Sequence, residues 1–146
     1  MYDIVDWGNQ LDFGHPVIDA QHREIMTLGQ EIEDSFDRKI KGPELLAKLT
    51  EFCRLLSNHF ALELGLMEAL SNSVYARHVD KHRLTHEHMT TFITATIRGL
   101  ANGGDAETVY AEFPRLFVDF IKNIVMDDNE LISILRKEKV LTLSRD

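Results

Sequence analysis

His59-Phe60-Ala61-Leu62-Glu63 decides how this chain folds, because its first and last residues are polar, stand one helical turn apart and share a face. Working outward, Leu49, Phe52 and Leu56 precede it and Met67 and Leu70 come after, in steps of three and four. That spacing is the buried seam of an amphipathic helix, and His59 and Glu63 occupy core positions in it. A carboxylate in such a seam needs a counter-charge, since an unpaired buried charge is either neutralised or compensated. With an imidazole one turn away, a metal ion fits that role.

The chain has 146 residues, enough for one domain with a real core, and 44% hydrophobic with 27% charged residues is ordinary for a soluble globular protein. No segment is apolar enough to span a bilayer. The start, Met1-Tyr2-Asp3-Ile4-Val5-Asp6-Trp7, lacks the basic opening and apolar run of a secretory signal. Cys53 is the single cysteine, so no internal disulfide forms and a cytoplasmic location is expected. A formal charge of -8 argues against nucleic acid or an anionic membrane as partner, because either calls for a basic face.

The remaining helices emerge from the same periodicity. Residues 1–17, with Trp7, Gly8, Phe13, Gly14 and Pro16, form an irregular N-terminal arm in which Trp7 is a packing lid. A first helix runs from about Asp19 to Asp37 on the stripe Ile18, His22, Ile25, Gly29, Ile32, Phe36, with Asp19 as its N-cap. Gly42-Pro43 opens the second, which carries the motif and ends near Ser71-Asn72-Ser73. The third starts near Val74 or Tyr75 and turns Tyr75, His78, His82, Thr85 or His86, Met89, Ile93, Thr96 and Leu100 inward; Asn102-Gly103-Gly104 closes it and Asp105 caps the next helix. Pro114 is expected to kink or split the last helical region, leaving a main fourth helix over about 114–139. Its inner side is Phe117, Phe120 or Ile121, Ile124, Asp128, Leu131 and Leu135. The fold class is therefore all-α, an up-down-up-down four-helix bundle.

His22, His59, Glu63, His78, His82 and Asp128 now form a set, drawn from all four helices at core positions. Any one of the histidines alone is better explained as a satisfied core residue, but six polar intrusions together are not. Imidazoles and carboxylates without thiolates suit iron, manganese or zinc, and two carboxylates able to bridge point to two ions roughly 3.5 to 4 Å apart. Two divalent cations with Glu63, Asp128 and one hydroxide leave about one net positive charge, which an apolar core tolerates.

These residues carry a family resemblance. Trp7, the run Leu11-Asp12-Phe13-Gly14-His15-Pro16-Val17-Ile18-Asp19-Ala20-Gln21-His22, His59-Phe60 with Glu63 and Met67, and His78 with His82 resemble a bacterial hemerythrin domain over most of the chain. The resemblance implies an oxo- or hydroxo-bridged pair of iron ions that binds O2, or another small diatomic or anionic ligand, at one iron. It implies His22 and His59 as ligands of that iron, Glu63 and Asp128 as bridges, and His78 and His82 as ligands of the other.

One position departs from the family's pattern, which places a histidine five residues before the aspartate. Here that residue is Asn123, with Ile124 next to it, so the second iron lacks an imidazole. His86 is a candidate replacement, but it lies two turns from His78, about 12 Å along the axis. One iron cannot take His78, His82 and His86 together. A register using His82 and His86 needs an extra turn in the link before the third helix, and is the minority expectation. His88 and His15 are expected to face solvent.

The expected function is an O2- or redox-sensing regulatory domain over residues 1–139, with 140–146 beginning a connector to a fused signalling module such as a diguanylate cyclase. That output is analogy to the family alone. A free-standing O2 carrier or store fits the same ligands. A di-iron oxidase ranks lower, since no Glu-x-x-His pair recurs on two helices, and so does a metal-poor degenerate bundle. The domain itself is not expected to be an enzyme.

Overall fold

The structure is a computed structural model, and it describes residues 14–40, 42–70 and 74–138. The expected roles of Trp7 and of the connector at 140–146 lie outside those residues. Helix α1 spans Pro16–Asp37, α2 Gly42–Glu68, α3 Ala76–Ala101 and α4 Ala106–Asn123. A π-helical turn over Ile124–Asp128 leads into a last helix, α5, Asn129–Lys137. The described residues contain no strand. Helix α1 packs on α2 and α4, α2 on α3, and α3 on α4, closing a four-helix bundle. None of these helices is long and apolar enough to cross a membrane.

Several ends differ from the sequence expectation. Helix α1 starts at Pro16, whose missing N–H is no loss in the first turn, and its N-cap is His15, with Nδ1 accepting from the Ile18 N–H at 3.1 Å. Asp19 is therefore inside the helix, buried, and its Oδ2 accepts from the Gly14 N–H. His15 is half-buried, not solvent-facing. Asp105 caps α4 as expected, accepting from the Glu107 N–H at 2.9 Å. Pro114 does not split α4; it and Tyr110, whose carbonyl loses its donor, are both half-buried, where that loss is small. The regular helix gives way ten residues later instead, where the Asn129 N–H reaches back to the Ile124 carbonyl in the wide i→i−5 pattern.

Two apolar clusters fill the interior. The larger joins Ile25, Phe52, Leu56, Phe60, Met89, Phe117, Phe120 and Ile124, while Met67, Leu70, Val79, Leu131 and Leu135 form the smaller. Along α2, α3 and the segment from the π turn into α5 the polar core residues fall between them: His59 and Glu63 between Leu56 and Met67, His82 and His86 between Val79 and Met89, Asp128 between Ile124 and Leu131. Each fully buried Leu or Phe contributes about 1.5–3 kcal/mol, so this apolar packing is what holds a polar layer that has no hydrophobic drive of its own.

Helices α1 and α4 approach closely at Gly29. A Cβ there would stand 2.3 Å from Phe117 Cε1, and Phe117 has no room to retreat because it is buried and packed on Phe52 and Phe113. Gly29→Ala should therefore lower stability by about 1–3 kcal/mol in denaturant unfolding, although alanine is the better helix former by ~1 kcal/mol. A variant as stable as the parent would show that the Phe117 ring yields freely.

Candidate metal centre

The polar layer uses the start of α1, the end of α2, the start of α3 and the π turn after α4. His22, His59, Glu63 and Asp128 are wholly buried, and His82 and His86 are buried with them. Two groups of donor atoms result, one from His22, His59, Glu63 and Asp128, the other from Glu63, His82, His86 and Asp128. Within each group all donor atoms lie within 4.8 Å of one another, and the two carboxylates belong to both.

Asp128 divides its oxygens between the halves. Oδ2 is 3.0 Å from His22 Nε2 and 3.1 Å from His59 Nε2, while Oδ1 is 2.8 Å from His82 Nε2. Glu63 Oε1 also faces both, at 3.4 Å from His59 Nε2, 3.5 Å from His82 Nε2 and 3.2 Å from His86 Nε2. These Glu63 approaches are poorly aligned, so neither of its oxygens has a hydrogen bond. His22 and His59 bring their Nε2 atoms within 3.2 Å of each other. Four inward imidazole nitrogens and two buried carboxylates, one of them the orphaned Glu63, are what a pair of cations would satisfy, and the donor set fits borderline metals such as iron.

Protons partly stand in for cations in the metal-free protein. Burial pushes the Glu63 carboxyl well above its ordinary range, the Asp128 charge adds to this, and His82 opposes it. Burial would raise Asp128 as well, but hydrogen bonds from His22, His59 and His82 hold it well below the carboxylate range. Burial opposes a charge on His82, yet its bond to Asp128 and the nearby Glu63 and Asp128 carboxylates prevail and lift it to about 10. His86 is pushed down to about 3, by burial first and then by the charge on His82. Burial also lowers His59, against the pull of Asp128.

His86, not His78, joins His82, and the minority register is the one the structure adopts. The inward stripe of α3 is Val79, His82, His86, Met89 and Ile93, which turns His78 to a half-buried position. There His78 Nδ1 pairs with Glu130 Oε1 at 2.7 Å, and its ring meets His82 edge-on at 5.3 Å without entering either donor group. Helix α2 ends at Glu68, earlier than expected, and α3 begins at Ala76, later. The ring of His86 stacks on Phe60, centroids 3.8 Å apart. That His59-Phe60 pairing was the available signal for His86, but it speaks only once the axial placement of α3 is known.

Asn123 is buried beside the layer but in neither donor group. Its Nδ2 donates to Asp127 Oδ2 at 3.1 Å and its Oδ1 has no hydrogen-bond partner. It lines a surface cavity of about 340 Å³ with Lys81, Thr85, Met89 and the exposed His88. Cys53 is half-buried against the larger apolar cluster, a packing residue. No protein-family model, curated protein or solved structure matches this chain.

The histidine shifts set a pH dependence. His86, unfolded near 6.5 and folded near 3, contributes stability that is present above 6.5 and is lost as pH falls through that window. Metal-free protein should therefore weaken on acidification from 6.5 towards 3, and His86→Phe, which keeps the stack on Phe60, should weaken less steeply. Denaturant unfolding at several pH values measures this; equal slopes would remove His86 from the acid response.

Proposed function

We propose that this chain is a non-haem di-iron regulatory domain responsive to O2 or redox state, similar to bacterial hemerythrin domains and built as an up-down-up-down bundle. The observation that supports it is the sharing of Asp128 and Glu63 between two imidazole pairs, with both Glu63 oxygens buried and lacking hydrogen bonds. His22 and His59 would hold one ion and His82 and His86 the other, with Glu63 and Asp128 common to both. When bound, such a pair supplies O2 binding and a change between diferrous and diferric states.

The protein's own residues do the rest. Each of these four histidines turns Nε2 inward, the atom that would offer its lone pair to a bound ion. The two apolar clusters keep bulk water from the layer and keep its electrostatic interactions strong. Regulation is favoured over carriage because Asp128 ends the π turn and directly precedes α5. A change in how its two oxygens are shared acts on that helix without any intermediary, and π turns are places where a helix changes register at low cost. The resemblance extends this to a signalling domain covalently joined beyond α5, in keeping with the modules to which bacterial hemerythrin domains are commonly fused.

Iron content and the absorption spectrum of the isolated protein, reduced and then exposed to air, test the reading. The expected result is two irons per chain with charge-transfer bands in the oxidised form; a colourless protein with one zinc or none overturns it. His86→Ala should lose at least half of the bound iron, whereas His78→Ala should retain both ions. The reverse pattern would return His78 to the centre.

A further inference from the structure

His59 directs its two nitrogens at different partners. Nε2 faces the layer, 3.1 Å from Asp128 Oδ2, and Nδ1 lies 2.9 Å from the side-chain oxygen of Gln21. An amide oxygen only accepts, so the proton between them sits on Nδ1; with a cation in place of the proton that Nε2 shares with Asp128, Nε2 would be left to offer its lone pair. Gln21 precedes His22 on α1, so one turn of that helix supplies both a donor to the layer and the group that orients another. It is half-buried on the floor of a polar surface cavity of about 240 Å³ shared with Glu24, Arg54 and Asn58. Arg54 gives its Nε and Nη2 protons to Glu51, at 2.8 and 2.6 Å.

The other half has no such arrangement. His82 Nδ1 is buried and has no hydrogen-bond partner among the described residues. Glu130, the first carboxylate after Asp128, takes His78 instead. His86 is held by stacking on Phe60, which fixes the plane of its ring but adds no acceptor behind it. An imidazole whose distal N–H is accepted is a stronger and better oriented donor than one whose N–H is left bare.

We infer that Gln21 is a positioning residue that makes the two halves of the centre unequal, so that the His22/His59 half binds a metal ion first and more tightly than the His82/His86 half. The inference rests on the di-metal reading above. Gln21 fixes the tautomer and rotation of His59 from outside the layer, and the bare Nδ1 of His82 leaves its half the looser one. Oxidation should favour the same half, because a more basic imidazole stabilises the higher charge.

Cobalt(II) titration monitored by visible absorption and calorimetry, on the full chain, separates the outcomes. The wild type should take up two ions in resolved tight and weak steps. Gln21→Leu should weaken the tight step by ~10–100-fold and leave the weak step unchanged, so that the two converge. Gln21→Glu, which keeps an acceptor on Nδ1, should restore the tight step and, in the iron-loaded protein, lower the midpoint potential of the pair below that of the wild type. Gln21→Leu also strips a hydrogen bond from buried His59 and should lower the thermal midpoint of the metal-free protein somewhat; weakening confined to the tight step is the readout that a merely structural role for Gln21 would not give. Unchanged steps in Gln21→Leu, or equal weakening in the Leu and Glu variants, overturns the inference while leaving the di-metal reading intact. A wild type that binds fewer than two cobalt ions overturns that reading and this inference with it.

Discussion

A carboxylate with no hydrogen bond, sealed between two apolar clusters, is the constraint around which this molecule is arranged. Glu63 is wholly buried and both of its oxygens lack hydrogen bonds. Leaving a buried acceptor unsatisfied costs about 1–3 kcal/mol, and more if it is charged. In the metal-free protein burial pushes the Glu63 carboxyl well above its ordinary range, while His22, His59 and His82 hold Asp128 well below its own and His82 is lifted to about 10. That arrangement is a poor substitute for cations, because His22 and His59 still turn Nε2 atoms towards each other at 3.2 Å. Apolar packing above and below has to carry the deficit.

The backbone features near the layer all serve its geometry. Gly29 lets α1 approach α4 against Phe117. The π turn admits an Asp127-Asp128 doublet in which the two side chains part, Asp127 accepting from Asn123 while Asp128 enters the core. His78 and Glu130 tie the start of α3 to α5 just outside the layer. A histidine can thus sit one turn from His82 and still serve as a clasp between helices.

The halves of the centre resemble each other in donor type but differ in support. His59 is braced by Gln21 and His86 by the face of Phe60. A hydrogen-bonded brace acts on basicity as well as orientation, whereas a stacked ring acts on orientation alone. Asn123 is buried with a polar atom left over and a surface cavity beside it.

Much of this was legible in the chain itself, for a local reason. Residues four apart on one helix share a face, so His59 with Glu63, and the seam they interrupt, can be read from spacing alone; His22 and Asp128 can be read because each stands in an otherwise apolar stripe. Helical periodicity selects a face but says nothing about height along the bundle axis. Helix α3 offers His78, His82 and His86 at successive turns, and which pair meets Glu63 depends on where α2 stops and α3 starts, a matter of link conformation and of packing on neighbouring helices. The same limit hid the His15 cap and the π turn, since a single Pro or Asp doublet does not announce a hydrogen-bond register. What the amino acids determined by themselves was the bundle, its buried polar set and the chemistry of that set. Only the tertiary structure decided that His86 meets Glu63 and Asp128 while His78 pairs with Glu130, because axial register is set by contacts between helices and not within them.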